Sequence, residues 1–411
     1  MTASILLIST LDTKAEETLY LRGRIEAGGG RVSLMDLSMS GPTGQPAEVP
    51  AEEVARAAGW EIEAVRRSRD RSRITSVMIE GAVKIARDLY AAGRVQAVVG
   101  LGGSTGSLMA TEVMRALPFG LPKLMVSSTA ALPGLATRYI DTGDLLLFHT
   151  VVEIAGLSPL LKSVLDRAAA AACGLAGVPA VSPEAVKAQG QGLVAMSMFG
   201  PCERCAHGVR LGLEKAGFQV IGFSAAGVCD RAMEEMIRAG FFTGVVDLAT
   251  GGVGEHILGG MRSAGPNRLE AAGKLGLPQV VAPSGVNLMS PSRSKYKPDY
   301  HSRRKYDLDK HRTFLRLTPD ELMEVARVFA AKLNQAVGPV KVLIPTRGWA
   351  AVDREGSTVF APEEDRVFTG KLRRDLKPDI EVIEVEANLE DDAFIEAVIE
   401  TFLSLAGQEG R

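Results

Sequence analysis

Short, continuously apolar segments alternate with longer amphipathic segments along the chain. In the first half, residues 5–9, 32–37, 97–101 and 123–127 have the pattern of buried strands, and residues 15–27, 76–92 and 159–173 have apolar positions at helical spacing. Strands that are apolar at every position need cover on both faces, which is typical of a parallel sheet between two helical layers. The first half therefore predicts an α/β domain.

The same pattern restarts after residues 174–191, a stretch rich in Gly, Pro, Ser and Gln. Strands are predicted at 192–198, 219–223, 244–248, 279–283, 340–344 and 380–385, and helices at 319–334 and 391–405. We therefore expect two Rossmann-like three-layer α/β domains with mainly parallel sheets, over residues 1–178 and 190–411.

One segment, residues 290–316, lacks apolar periodicity and carries nine Lys and Arg residues together with His301 and His311. A loop of this length in a compact domain is usually functional or disordered. Two interpretations stay open. The segment is a mobile, solvated surface loop, or it is a lid or dimer arm that brings cations to an anionic ligand.

The composition of the chain limits the classes of partner that it is expected to bind. The 411 residues are 46% hydrophobic and 23% charged, as in ordinary globular proteins, and the net charge of −2 gives no electrostatic reason for binding nucleic acid or an anionic membrane. Aromatic residues make up 5%, too few for a groove of stacked bases. No apolar run reaches the length of a membrane span, and four cysteines indicate a reduced, cytoplasmic protein. We expect a small-molecule ligand.

The clearest binding feature is a glycine-rich turn that follows the strand at 97–101 and precedes a helix pattern ending at Arg115. Glycine lets the backbone approach an anion closely, and the free amides of a helix N-terminus point toward the charge. Three hydroxyls add donors. The turn predicts a phosphate or carboxylate site, although a tight turn without ligand is the alternative; its residues are Gly102, Gly103, Ser104, Thr105, Gly106 and Ser107.

Two familiar nucleotide loops do not fit this turn. No lysine follows the glycines, as a Walker A loop requires. Thr105 stands where the dinucleotide fingerprint has its third glycine, and the next strand ends in Ser127-Ser128-Thr129 without an acidic residue. The sequence therefore disfavours NAD.

A second polar group, Asp12, Thr13 and Lys14, follows the first strand. In parallel sheets, ligands collect at the carboxyl ends of the strands, so this group and the glycine turn could hold one phosphate chain together. Lys14 could reach a phosphate oxygen as a point charge. Asp12 and Thr13 could instead only cap the following helix.

These motifs, together with Val-Val-Glu-Ile-Ala-Gly-Leu at 151–157, resemble the Tm-1-like family, also called the uncharacterised family UPF0261. Stretches of the second half, such as 268–272 and 276–281, resemble it as well. The resemblance implies two α/β domains, a nucleotide site for ATP in the first, and a homodimer. The positions that match its site motifs are Asp12, Thr13, Lys14, Gly102, Gly103, Ser104, Thr105, Gly106, Ser107, Ser128 and Thr129. Mg²⁺ could arrive with the nucleotide, held mostly by phosphates and water; no metal site built from side chains is predicted.

The second half offers weaker candidates. Glu255 beside His256 could serve acid–base chemistry or lie on a surface helix turn, and the turn at 250–254 could be a second anion cradle. Arg268, predicted to lie on a helix, could hold a substrate carboxylate. The family pattern is altered here, notably by Asn287 where Asp is common, so this domain binds a different substrate or none.

The pair Cys202 and Cys205 leaves three readings open: a redox pair, part of a zinc site with His207 and Cys229, or ordinary cysteines at a helix entry.

The sequence predicts a nucleotide-binding protein. One hypothesis is that it is an ATP-dependent enzyme acting on a small carboxylated metabolite. A nucleotide-responsive regulatory protein without catalysis is an alternative. A nucleotide-independent lyase or hydrolase of a sugar-acid-type substrate is another.

Overall fold

The computed structural model describes residues 3–188, 192–310 and 312–407. His311 of the basic segment lies outside these residues. The chain divides into two compact units, Met1–Ser182 and Pro183–Arg411, and the division lies in the interval between the predicted domains 1–178 and 190–411. Each unit is described by itself below.

The first unit has a five-stranded parallel sheet in the order β2-β1-β3-β4-β5. Its strands are β1 (Ser4–Ser9), β2 (Arg31–Asp36), β3 (Ala97–Gly102), β4 (Lys123–Ser127) and β5 (Leu146–His149). Its helices are α1 (Leu11–Ala27), α2 (Ala51–Ala57), α3 (Ile62–Arg67), α4 (Arg71–Ala91), α5 (Ser104–Arg115), α6 (Leu135–Ile140) and α7 (Pro159–Ala176). Since β2 lies on one side of β1 and β3 on the other, the strand order reverses between β1 and β3. Such a reversal leaves a crevice at the carboxyl ends of these two strands.

Both faces of this sheet are covered by helices, because alternate residues of each strand point to opposite sides. On β1, Leu7 packs in a core with Leu21 of α1 and Leu165 of α7. The neighbouring residue Leu6 packs in the opposite core, which includes Met78 of α4 and other residues of α2 and α5. This arrangement confirms the predicted three-layer α/β fold.

The second unit repeats this strand order in a six-stranded parallel sheet, β14-β13-β9-β8-β6-β7. Its strands are β6 (Leu193–Met198), β7 (Gln219–Ser224), β8 (Gly244–Asp247), β9 (Gln279–Val281), β10 (Leu288–Met289), β11 (Lys305–Asp307), β12 (Thr313–Arg316), β13 (Val340–Pro345) and β14 (Glu381–Val385). Its helices are α8 (Pro183–Lys187), α9 (Glu203–Lys215), α10 (Val228–Arg238), α11 (Gly252–Leu258), α12 (Ala271–Lys274), α13 (Pro319–Leu333), α14 (Pro362–Asp375) and α15 (Asp392–Ala406). The strands β6 and β8 take the places of β1 and β3.

The basic segment at 290–316 folds, which corrects its interpretation as a mobile loop. Strands β10, β12 and β11 form a small antiparallel sheet, and two 3-10 turns, Arg293–Lys295 and Pro298–His301, precede β11. Several of its cations are bound within the unit. The Arg303 guanidinium pairs with Glu321, and Arg316 is buried against Asp365.

Among the described helices, none is both long enough and apolar enough to cross a bilayer.

Candidate functional site at the carboxyl edge of the first sheet

The glycine turn and the segment after β1 meet at the crevice between β1 and β3. The Ser9 hydroxyl, at the end of β1, donates to the carbonyl oxygen of Leu101 in β3 at 3.0 Å. A Cβ atom added to Gly106 would lie only 3.8 Å from the Thr10 hydroxyl oxygen. Two motifs that are separated by some 90 residues in sequence therefore share one edge of the sheet.

The start of α5 presents free amides to this crevice. Gly103 is the N-cap residue, with φ −79° and ψ −157°, and no side chain of the described residues caps the helix. The amide of Ser107 donates to Gly103 O at 2.8 Å, so the amides of the three residues before it precede the first helical bond. Ser104 and Thr105 are exposed. This backbone geometry suits an anion.

Gly102 and Ser107 shape the turn from inside. A Cβ atom on Gly102 would lie 2.9 Å from Gly106 Cα and 3.1 Å from the Ser107 amide nitrogen, so only glycine fits there. The buried Ser107 hydroxyl lies 2.6 Å from the Ser127 hydroxyl, which ties the turn to the end of β4. These two residues hold the turn in place, while its exposed members are free to contact a ligand.

Lys14 extends from α1 at a break in the helix. Its backbone, at φ −134° and ψ 26°, is not helical. Its ammonium donates to the carbonyl oxygen of Ile154, in the segment after β5, at 2.5 Å. An ammonium has three donors, so this bond leaves two for a ligand.

Asp12 and Thr13 have local structural partners. The Asp12 carboxylate accepts from the amides of Met39 and Ser40 at 3.2 and 3.0 Å, which fixes the segment after β2 beside the crevice. The Thr13 hydroxyl lies 3.0 Å from that of Thr10, the N-cap residue of α1. Neither Asp12 nor Thr13 is the N-cap of α1, and both brace the segment that carries Lys14.

Ser128 lies next to the glycine turn and holds a carboxylate. A Cβ atom on Gly103 would be 3.9 Å from the Ser128 hydroxyl oxygen, and this hydroxyl donates to Glu153 Oε1 at 3.1 Å. Thr129 is turned toward the buried Tyr139, whose hydroxyl lies 2.9 Å away. Sequence reasoning gave Glu153 no role, although it stands within the motif at 151–157.

Two oxygen groups at this edge, the Glu153 carboxylate and the Ser128 hydroxyl, lie together beside the glycine turn. Carboxylate and hydroxyl oxygens are hard ligands of the kind that Mg²⁺ prefers. Within the described ranges, however, no group of three or more His, Cys, Asp or Glu side chains could hold a metal without other ligands. Mg²⁺ is commonly held by one or two carboxylates, water and the oxygens of a bound phosphate.

The second unit corrects the placement of Arg268. It lies in the turn before α12 and not on a helix, and it is fully buried. Its guanidinium binds Asp247 at 2.5 Å, Asp230 at 3.0 Å and Glu234 at 3.4 Å. Burial raises the pKa of Asp230, and the positive charge of Arg268 offsets part of this rise. Since three carboxylates of the chain already surround it, Arg268 holds α10, β8 and the turn together and has no open face for a substrate.

Glu255 and His256 point apart. Glu255 is fully buried, and its Oε1 accepts from the Ser290 amide at 2.7 Å and from Arg262 Nε at 3.0 Å. His256 is exposed beside Ser263. The preceding glycines serve packing, because a Cβ atom on Gly251 would lie 2.4 Å from Gly285 O. Glu255 and His256 therefore do not form the predicted acid–base pair. The turn at 250–254 is a tightly packed connection and not the predicted second anion cradle.

The pair Cys202 and Cys205 is buried at the entry to α9. Desolvation raises the pKa of the Cys202 thiol to about 12 and that of Cys205 well above its ordinary value. Redox exchange and zinc binding both need a thiolate. The environment thus favours the reading as ordinary helix-entry cysteines.

The chain matches two family descriptions end to end. Residues 3–180 match the N-terminal domain of the uncharacterised protein family UPF0261, and residues 191–406 match its C-terminal domain. The chain belongs to the UPF0261 family. This confirms the resemblance drawn from the motifs.

Relatives within this family cover nearly the whole chain. A UPF0261 protein of Clostridium tetani is 32% identical over 409 residues, 98% of this chain and 99% of the relative. One of Rhizobium meliloti is 33% identical over 405 residues, with the same coverage. The tomato (Solanum lycopersicum) ToMV resistance protein Tm-1(GCR237) is 31% identical over 337 residues, 81% of this chain and 44% of the tomato protein.

Solved structures show only distant likeness. A UDP-N-acetylglucosamine 2-epimerase, described as putative in Listeria monocytogenes, has 10% identity and a TM-score of 0.23 over 68% of this chain and 79% of its own. A family 9 glycosyl transferase of Veillonella parvula has 12% identity and a TM-score of 0.22 over 99% and 98%. At these scores the likeness carries no argument about function.

Proposed function

We propose that the first unit of this UPF0261 protein binds ATP, with a phosphate group at the glycine turn. The observation that supports this is the uncapped α5 N-terminus at the crevice where the strand order reverses, with Lys14 in the first turn of the helix that follows β1. Backbone amides give the phosphate oxygens directed donors, and Lys14 adds a positive charge.

The Glu153 carboxylate, which accepts from Ser128 beside the glycine turn, argues for a cation-bound nucleotide. Glu153 next to a phosphate would be repulsive unless a cation lay between the two. Glu153 and Ser128 would hold Mg²⁺ from the protein side. Bound there, Mg²⁺ would neutralise charge on the phosphate oxygens and polarise the phosphoryl group.

As an enzyme, the protein would be an ATP-dependent ligase or phosphotransferase acting on a small carboxylated metabolite. Lys14 and the amides of the glycine turn would stabilise charge that develops on the transferred phosphoryl group. Release of ADP or AMP in the presence of candidate acids tests this. Binding without turnover would favour the regulatory alternative, in which the nucleotide shifts the population of conformations. The homodimer and the cytoplasmic location stay predictions.

The binding proposal is tested at Gly103. Its φ is negative and a Cβ atom there would meet nothing closer than 3.9 Å, so a side chain is accommodated. Asp and Asn are both favourable N-cap residues, so Gly103→Asp and Gly103→Asn should both fold. Asp adds a carboxylate where the phosphate would lie, whereas Asn fills the same space without charge.

We expect calorimetric titration with Mg²⁺ and ATP to show binding to the wild type, a moderate loss in Gly103→Asn, and at least about a tenfold further loss in Gly103→Asp, which corresponds to about 1.4 kcal/mol. No binding by the wild type, or equal affinities of the two variants, would contradict a phosphate at this turn.

A further inference from the structure

A cleft of about 560 Å³ opens beside the glycine turn, between the N-terminal half of α4 and one side of α5, and next to α6. Thr105 lines this cleft and also belongs to the turn. A ligand held at the turn therefore has direct access to the cleft without leaving the carboxyl edge of the sheet.

Two arginines give the cleft its charge. Arg71, in the first turn of α4, and Arg138, in α6, both line it. In the described part of the chain, neither guanidinium has a carboxylate partner within 4.0 Å. The acidic residues of the lining are already paired: Glu80 binds Lys84 at 2.9 Å, and Glu112 binds Arg115 at 2.6 Å. Counting Lys84 and Arg115 with the charged lining residues gives four cations and two carboxylates, so positive charge exceeds negative charge at the cleft.

The uncapped N-terminus of α5 increases this positive potential. At the start of α4, Arg71 stands next to the N-cap residue Asp70, whose carboxylate accepts from the Arg73 amide at 3.0 Å, so this helix end is already capped. The N-terminus of α5 faces the same region. A bound anion would relieve the repulsion among these groups.

The rest of the lining favours phosphate over a base. The hydroxyls of Ser72 and Thr105 supply donors, whereas those of Thr75 and Ser76 donate to main-chain oxygens of α4. The apolar side chains of the lining are Ile79 and Leu108, and the lining residues of the described chain include no aromatic ring. Arginine and hydroxyl donors are typical ligands of phosphate oxygens.

We infer that this cleft, the Arg71–Arg138 cleft, binds further phosphate groups of a nucleoside polyphosphate whose first phosphate lies at the glycine turn. The inference rests on the proposed nucleotide site and specifies its substrate class. The site selects polyphosphates over monophosphates, because the distal charge is recognised by the two arginines.

The test compares ATP, AMP and inorganic tripolyphosphate, each titrated at constant Mg²⁺ into the wild type and into Arg71→Gln, Arg138→Gln and the double variant. Both arginines are exposed, so the variants should fold. Arg69→Gln is the matched control, since it removes an exposed charge two residues from Arg71 but does not line the cleft.

We expect each substitution to weaken ATP and tripolyphosphate binding about tenfold or more, as for lost hydrogen bonds to charged groups, and to leave AMP affinity nearly unchanged. Arg69→Gln should affect all three probes slightly and equally. The inference would be overturned if the wild type bound ATP and AMP with equal affinity, or if the variants lost affinity for ATP and AMP to the same extent. Either result would leave a phosphate site at the turn. Tripolyphosphate binding that depends on the arginines, without nucleotide binding, would support the cleft and sink the nucleotide proposal. If no probe binds, both fall.

Discussion

The ammonium of Lys14 donates a hydrogen bond to the main-chain oxygen of Ile154, 140 residues later in the chain. This contact joins the segment after β1 to the segment after β5. It also restrains the Lys14 side chain, whose loss of free rotation would otherwise cost entropy on ligand binding.

Replacement of Lys14 should therefore weaken ATP binding without unfolding the protein. We expect Lys14→Met to lose at least about tenfold in affinity, the scale of one charged hydrogen bond. The ATP affinity of Lys14→Arg should lie between those of the wild type and Lys14→Met, since arginine keeps the charge but changes the shape of the donor. Calorimetry measures the affinities, and circular dichroism checks the fold.

Lys215→Met is the control for this change, because it removes the same charge from an exposed position of α9. If Lys14→Met and Lys215→Met bound ATP equally well, Lys14 would have no direct role.

The buried Arg268 cluster predicts a large loss of stability. Arg268→Met leaves the carboxylates of Asp230, Glu234 and Asp247 buried without their cation. Breaking a buried ion pair from one side typically costs about 3–5 kcal/mol of the free energy of unfolding. Urea unfolding measures the change. Arg210→Met, which breaks an exposed pair with Glu214 on α9, should cost less than about 1 kcal/mol; similar losses for the two variants would refute a special role of the cluster.

Asp365 predicts a pH dependence of stability. Its buried carboxyl lies with Asp353, Arg316 and Asn287, and Glu364 lies 3.5 Å from Arg316. Desolvation raises the pKa of Asp365 to about 7, opposed by Arg316 and assisted by Asp353. An unfolded Asp has a pKa near 4. Between about pH 4 and pH 7 the folded state thus binds more protons than the unfolded state, so this group's contribution to stability falls as the pH rises and levels off above about pH 7.

The variant Asp365→Asn should flatten this part of the stability profile, because the amide keeps a hydrogen-bond acceptor but does not ionise. Chemical unfolding at several values between pH 5 and pH 8 measures it. Glu396→Gln, at an exposed position of α15, should leave the profile as in the wild type. An unchanged slope in Asp365→Asn would show that other groups cause it.

The sequence by itself determined the two-domain α/β fold and the two motifs of the first site. Continuous apolar runs and helical spacing are local signals, and they placed β1 to β4 and the six strands of the second parallel sheet within a few residues. The glycine turn and Lys14 were found because each follows directly on a recognisable strand, and parallel strands end at one edge.

Tertiary structure decided the rest, because it depends on contacts between distant residues. The strand β5 was missed since it is short and lies at the sheet edge, where its side chains are largely exposed. The helix α4 begins at Arg71 and not near residue 76, which brings this arginine into the cleft. In the sequence, no carboxylate next to Arg268 identifies its partners. In the structure, three carboxylates from 21 to 38 residues away surround its guanidinium. Whether a charged side chain binds a ligand or the chain itself is settled by its neighbours in space, and sequence spacing does not specify them.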